Sequence, residues 1–173
     1  MNQNIKTEIR DSIRNFRLPR YEELPDVGLY LEQVTKYISD YLAPLEDIQL
    51  TGSMISNYVK KGLIQNPVRK QYTRDQVAYL IFVAVSKTVL SMDDIQQLIE
   101  LQKKVYTSQR AYDYFCSEFE NVLFYVFGLK DVLDTVGIDA TDEKAMLRNT
   151  IITVAHKIYL DKCFSRLSAE KNA

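Results

Sequence analysis

The stretch that decides the fold is 51–74, which reads TGSMISNYVKKGLIQNPVRKQYTR. Its first half has the spacing of a short amphipathic helix over about 52–61, with Thr51 or Ser53 as the N-cap and Gly62 as the stop. One face of this helix is apolar and is expected to anchor it to the core, through Met54, Ile55, Tyr58 and Val59.

The second half of this stretch predicts a loop or a small wing. Residues 63–72 have no helical period, and they contain Pro67 and paired basic residues. Thr73 with Gln76 has the spacing of a capping box, which predicts a further helix from Arg74 to about Val89.

Toward the N-terminus, the pattern predicts two helices joined by an extended arm. Residues 4–16 have apolar residues at spacings of three and four, which indicates a short amphipathic helix. Residues 18–25 contain two prolines, and we expect them to be extended because proline disfavours helical geometry in the residue before it. Asp26 is the expected cap of a helix from Val27 to about Leu42, which Pro44 ends.

Toward the C-terminus, the chain is helical and rich in aromatic residues. Ser91 with Asp94 predicts a helix over about 92–104, and Thr141 is the expected cap of a last helix over 142–167. Aromatic residues are dense between them, over 108–127. The predicted fold class is therefore all-α, with an N-terminal helix and arm (1–25), a central domain (26–104) and a helical C-terminal region (105–173).

Charge is unevenly distributed along a chain whose formal net charge is −1. From Ile48 to Arg74 there is no Asp or Glu, while this stretch carries five basic residues. A local basic patch in a near-neutral protein is typical of a surface that binds a polyanion. The alternative is chance clustering on a solvated face.

The predicted helix over 52–61 presents residue types that suit the major groove of DNA. Asn can hydrogen-bond to adenine in bidentate fashion, and Lys can reach guanine or phosphate. Backbone N–H groups at the helix start can meet a phosphate, and the basic loop that follows can lie on the next phosphates. The candidate DNA-binding residues are Thr51, Ser53, Ser56, Asn57, Lys60, Lys61, Arg69, Lys70, Tyr72 and Arg74.

The segment ISNYVKKGLI (55–64), followed by Pro67, Arg69, Lys70 and Tyr72, resembles the recognition helix and wing of MerR-type regulators. The resemblance continues through LSMDDI (90–95), which is similar to the helix after the wing in that family. It covers about 50 residues and implies a winged helix-turn-helix, followed here by a helical, aromatic-rich bundle.

Two features depart from the MerR pattern. The family's recognition-helix Arg-Tyr pair, which contacts phosphate and bases, falls on Ser56 and Asn57, while its wing arginine falls on Lys70. Serine cannot replace an arginine, so DNA contacts must come from other residues or be weaker. The segment from Leu42 to Leu50 is also longer than a tight helix-turn-helix turn.

The whole chain also resembles a bacterial family designated domain of unknown function 1836. The residues that carry this resemblance include PRYEELP (19–25) and SMISNYVK (53–60). It implies no established activity.

The aromatic C-terminal helices allow two interpretations. MerR-like proteins use the region after the wing to dimerise and sometimes to hold an effector. A core or homodimer interface is one interpretation, because aromatic residues readily fill both. An apolar pocket for a small-molecule effector is the other.

The sequence gives no reason to expect an enzyme. It has no Gly-rich phosphate loop, no nucleophile elbow, no zinc-ligand spacing and a single histidine, His156. Cys116 and Cys163 are far apart, so they are expected to be buried small hydrophobes rather than a redox or metal pair. We expect no cofactor or metal. We expect a cytoplasmic protein, because the N-terminus has no apolar stretch of signal-peptide length and the longest apolar run, over residues 77–85, is too short to span a membrane.

The leading hypothesis is therefore a dimeric regulator that binds double-stranded DNA. The alternative is a protein-interaction module that has kept the winged-helix scaffold without DNA binding, because a fold does not fix a function.

Overall fold

The computed structural model describes residues 3–137 and 140–171, with Lys171 described by its backbone alone. Most of these residues are α-helical, which confirms the all-α class. The helices are α1 (Gln3–Asp11), α2 (Leu31–Leu42), α3 (Gly52–Lys60), α4 (Arg74–Ser86), α5 (Met92–Val105), α6 (Ser108–Val126) and α7 (Asp142–Lys171). Two strands, β1 (Leu29–Tyr30) and β2 (Gln71–Tyr72), pair antiparallel.

The predicted N-caps account for where several helices begin. The hydroxyls of Thr51, Thr73 and Ser91 each accept a hydrogen bond from the backbone N–H three residues later, at 3.2, 3.4 and 3.2 Å. Thr141 does the same for α7 at 3.2 Å. Each such cap satisfies one of the orphan N–H groups of a helix start, a contribution of about 1 kcal/mol.

The predicted start of the helix at Val27 is wrong. The helix α2 begins at Leu31, because Leu29 and Tyr30 pair with Tyr72 and Gln71 in the β1–β2 ribbon. A β-carbon on Gly28 would lie 2.7 Å from the Gln71 β-carbon, so only glycine allows this close approach of the two strands.

Two other boundaries also differ from prediction. Helix α1 ends at Asp11, and turns continue the chain so that Ile13 and Phe16 are still buried, as predicted. The arm over 18–25 contains a 3₁₀ turn at Tyr21–Glu23. That turn forms because the Glu23 carboxylate accepts the Arg20 backbone N–H at 2.6 Å.

One hydrophobic core joins the N-terminal, central and C-terminal parts of the chain. At its centre Phe115 and Phe119 stack with ring centres 5.7 Å apart, and Phe16 meets Phe119 edge-on at 5.7 Å. The division into segments 1–25, 26–104 and 105–173 stays a prediction, and its outer ends lie outside the described residues.

The N-terminal arm is held on α6 by polar contacts. The Arg20 guanidinium donates to both Glu120 carboxylate oxygens at 2.7 and 2.6 Å, and the hydrogen bond raises the pKa of Arg20. The Tyr21 backbone N–H donates to Asp113 at 2.8 Å. These contacts fix the arm across the middle of the molecule.

The loop between α2 and α3 is fixed by α7. The Lys162 side chain is 1% exposed, and its ammonium lies 2.6 Å from Glu46, which follows the 3₁₀ turn Ala43–Leu45. Arg166 donates to Glu46 at 3.0 Å and to Glu8 of α1 at 2.7 Å. Burial favours a raised pKa for Glu46, but the hydrogen bonds from Lys162 and Arg166 bring it below its usual value.

This network predicts that Glu46→Gln destabilises the protein by about 2 kcal/mol at pH 7, because it leaves the buried Lys162 charge without a counter-charge. The loss shrinks as the pH falls. A carboxyl whose folded pKa is lowered stabilises above its ordinary value of 4.5, and that stabilisation disappears as pH falls through the folded value.

Urea unfolding at pH 7 and pH 3.5 measures this effect. The control is Asp40→Asn, which breaks the exposed Lys36–Asp40 pair and is expected to cost less than about 0.5 kcal/mol. Equal losses for the two variants at pH 7 would contradict a stabilising role for the Glu46 network.

Candidate nucleic-acid interface

The outer face of α3 is polar and exposed, as the sequence predicts. Ile55 and Tyr58 are buried in the core, while the opposite face is exposed at Ser53, Ser56, Asn57, Lys60 and Lys61. Burying the apolar face fixes the rotation of the helix, so the amide and the two ammonium groups necessarily face solvent.

The start of α3 has exposed polar groups beside its cap. The Thr51 hydroxyl caps the Met54 N–H but can still donate its own hydrogen, and Thr51 and Ser53 are both exposed. The remaining free N–H groups of the first turn and the helix dipole favour a negatively charged group there. Thr51 and Ser53 therefore lie together at the start of α3.

A basic hairpin (residues 68–72) follows α3. The Gln71 N–H donates to the Val68 carbonyl at 2.9 Å and closes a tight turn with Arg69 and Lys70 at its tip. Both tip residues are exposed, and their φ angles are 52° and 65°. Two consecutive positive φ angles are typical of a type I′ hairpin turn, which strongly prefers Asn-Gly.

The turn is strained by its residue types. An L-residue other than glycine in this region loses about 1 kcal/mol, and neither arginine nor lysine gains the local hydrogen bonds that asparagine makes there. Backbone strain of this kind clusters at functional sites, so the hairpin tip is a candidate site. The side chains there are two cations.

Two of the candidate residues are engaged within the protein. Tyr72 is 5% exposed, and burial raises its pKa. Arg74 lies 3.0 Å from Glu22 and 5.5 Å from the ring centre of Tyr21. Tyr72, the last residue of the hairpin, therefore packs in the core, and Arg74 contacts the N-terminal arm.

The remaining basic residues form an unpaired cationic surface. Within residues 3–137 and 140–171, no carboxylate lies within ion-pair distance of Lys60, Lys61, Arg69 or Lys70. All four are exposed, on the end of α3 and on the hairpin tip. The charge predicted from the sequence is thus available to a partner, apart from that of Arg74.

Two exposed residues beside this surface were missed from the sequence. Val68 is at the base of the hairpin tip, and Tyr30 is paired with Gln71 in the β1–β2 ribbon. Tyr30 is the N-cap residue of α2, and the Gln33 side chain accepts its backbone N–H at 2.9 Å. Tyrosine is not a usual N-cap residue, so the sequence did not indicate that the helix begins there. Sequence reasoning placed Tyr30 inside a helix and so away from the hairpin.

The described part of the chain has no cluster of metal ligands, and its two cysteines are buried. Across residues 3–137 and 140–171 there is no group of three or more His, Cys, Asp or Glu that could hold a metal ion. Cys116 and Cys163 are both buried, as predicted, and burial raises the pKa of the Cys116 thiol to about 12. No described helix has the length and hydropathy to span a membrane.

Comparison with known proteins identifies a family but no close characterised relative. Neither the curated proteins nor the solved structures gave a match. A family model matches residues 19–115, which run from the N-terminal arm through α3 and the basic hairpin into α6. Because that match covers more than half of the chain, the protein belongs to the family described as domain of unknown function DUF1836.

Proposed function

We propose that this protein is a DNA-binding transcriptional regulator of MerR-like type, with α3 in the major groove and the basic hairpin on the phosphates. The observation that carries the proposal is the set of four exposed, unpaired cations on α3 and the hairpin tip. We place the protein in the cytoplasm and assign it no enzymatic activity.

The order and size of the elements support this proposal. Two helices, α2 and α3, are followed by the basic hairpin and by α4, and β1 pairs alongside the hairpin. This order is that of a winged helix-turn-helix, in which the second helix enters the groove. Nine residues make α3 about 13 Å long, which suits a groove about 12 Å wide.

The proposed contacts divide by position along α3. Ser53 and Thr51 meet a phosphate at the helix start, while Ser56 and Asn57 lie in the middle, where base edges are read. Lys60 and Lys61 reach guanine or phosphate at the helix end, and Arg69 and Lys70 lie on the flanking backbone. Asn57 is the residue that we expect to specify adenine.

A protein-interaction module is the second candidate. It is favoured by Ser56, which stands where MerR-type regulators carry an arginine, and by the exposed apolar Val68 and Tyr30 beside the hairpin. A surface that has lost its main phosphate-binding arginine could serve a protein partner instead.

Dimerisation through α7 would complete a regulator with two recognition helices. Leu160 and Phe164 are 50% and 62% exposed and lie four residues apart, hence on one face of α7. A second copy of the chain would cover them and present two α3 helices to two half-sites, as helix-turn-helix dimers do.

The first experiment is selection from a random double-stranded DNA pool, followed by a salt titration of the enriched site. We expect a roughly palindromic motif, and a slope of log affinity against log salt that corresponds to about four to eight phosphates. Lys60→Glu with Lys70→Glu should lower the affinity about 100-fold and flatten the slope by about 2 for each protomer.

The matched control is Lys6→Glu with Lys104→Glu, which makes the same charge change at two exposed residues on α1 and α5. It should leave most of the affinity intact. Equal losses for the two double variants would mean that net charge, rather than this surface, binds DNA. No enriched motif, with one protein recovered in stoichiometric amount, would support the interaction module.

The strained hairpin gives a prediction in which stability and function move in opposite directions. Arg69→Asn with Lys70→Gly should raise the free energy of unfolding by about 1–2 kcal/mol, because these residues suit a type I′ turn. The same variant should bind DNA more weakly, since both tip cations are lost. Thermal unfolding and DNA titration measure the two effects.

Arg69→Gln with Lys70→Gln separates charge from strain. It should lose the same DNA affinity with little change in the unfolding temperature, because the turn stays strained. An Asn-Gly variant that keeps full DNA affinity would remove the hairpin from the proposed interface.

The α7 dimer is tested by Leu160→Glu with Phe164→Glu. Acidic side chains at both positions should convert the dimer to a monomer in sedimentation equilibrium, because two copies would bring like charges together. Val27→Glu, at another exposed apolar residue, should leave the dimer intact. A wild-type protein that is monomeric at 100 times its DNA-binding concentration would contradict this interface.

A further inference from the structure

A cavity of about 310 Å³ lies between α4, α5, α6 and α7. Protein interiors are close-packed and rarely leave room for more than a single water, whereas this space equals that of about ten waters in the liquid. Its size is at the lower end of small-molecule sites. Most of the residues that line it are aliphatic or aromatic, and they include Ala78, Phe82, Leu98, Ile99, Phe115 and Leu147.

Part of this apolar wall is not buried by the protein itself. Phe82, Ala111 and Leu147 are only half-buried, although the helices that carry them, α4, α6 and α7, pack against one another. Apolar surface in contact with water is unfavourable, and a ligand that covers it gains the free energy of removing that surface from water. The wall therefore favours an apolar ligand.

The polar groups of the wall are either bonded within the protein or buried from solvent. The Tyr79 hydroxyl lies 3.2 Å from the Gln102 side-chain oxygen and 3.3 Å from the Ser108 hydroxyl. The Gln102 amide nitrogen donates to a backbone carbonyl at 2.9 Å. The hydroxyl oxygens of Tyr112 and Tyr114 are buried, so a ligand that enters from solvent does not reach them. These five residues therefore offer a ligand no free polar group.

The charged residues of the wall do not favour a charged ligand of either sign. The Arg110 guanidinium lies 5.2 Å from the ring centre of Tyr106, and this ring face attracts it. The Lys144 ammonium lies 5.2 Å from the ring centre of Tyr114 in the same way. Glu143 adds a charge of the opposite sign. Since moving a charge from water to apolar surroundings is costly without a dedicated partner, the site favours an uncharged ligand.

We infer that this cavity is a binding site for an uncharged apolar molecule the size of two fused rings, held by contacts with Phe82, Ile99 and Leu147. The size follows from the volume. A cavity of about 150 Å³ with aliphatic and aromatic walls binds benzene, and the cavity here has about twice that volume. The inference does not depend on DNA binding.

The test uses the uncharged ketone 2-acetylnaphthalene as probe, with 2-naphthoate and 2-naphthylmethylammonium as charged analogues of similar size. Isothermal titration calorimetry uses the full chain, because Leu147 of α7 forms part of the wall. The dissociation constant should be lower for the ketone than for either charged analogue by about 10-fold or more. The heat-capacity change on binding the ketone should be negative, since apolar surface is removed from water.

Ala111→Phe fills the cavity and should abolish binding of the ketone. The matched control is Ala169→Phe, which makes the same change at an exposed residue of α7 away from the cavity, and it should leave the affinity unchanged. Because a filled cavity can disturb folding, Leu147→Gln is the second variant. It places a polar group at a half-buried position of the wall and should weaken binding by about 10-fold.

Three results would overturn the inference. Charged analogues that bind as tightly as the ketone would remove the assignment of an uncharged ligand. No binding of the ketone up to its solubility limit would remove the site. Unchanged affinity in Leu147→Gln, or in an Ala111→Phe variant that is folded by circular dichroism, would place the ligand elsewhere on the protein.

Discussion

The buried ammonium of Lys162 is the constraint on which the arrangement of the helices depends. A charge that is 1% exposed must have a counter-charge, and Glu46 supplies it from the loop between α2 and α3. Arg166 extends the contact to Glu8 of α1. The Glu46 carboxylate therefore connects α7 to the loop that precedes α3. The position of α3, and with it the candidate interface, depends in part on this contact with α7.

The candidate interface combines a fixed helix with a strained hairpin. Helix α3 is oriented by Ile55 and Tyr58 in the core, which leaves its polar face no alternative orientation. The hairpin tip keeps Arg69 and Lys70 in a left-handed conformation that other residues would adopt at lower cost. The cations of both places lie on one continuous acid-free stretch of sequence, on which the proposal of a polyanionic partner rests.

The cavity and the candidate interface are connected through α7. The first two turns of α7 line the cavity with Glu143, Lys144 and Leu147, and its later turns carry Lys162 and Arg166. A helix is stiff over this distance because every turn is hydrogen-bonded to the next. The same helix therefore contacts both the cavity and the loop before α3.

Local patterns in the sequence determined the helical class, the caps at Thr51, Thr73, Ser91 and Thr141, and the exposed face of α3. These features depend on residues within one or two helical turns, so periodicity and capping types reveal them. Tertiary structure decided the rest. The β1–β2 pairing moved the start of α2 to Leu31, Glu46 met Lys162 across 116 residues, and four helices enclosed the cavity. Such contacts join distant parts of the chain, and no local spacing encodes which distant residues will meet.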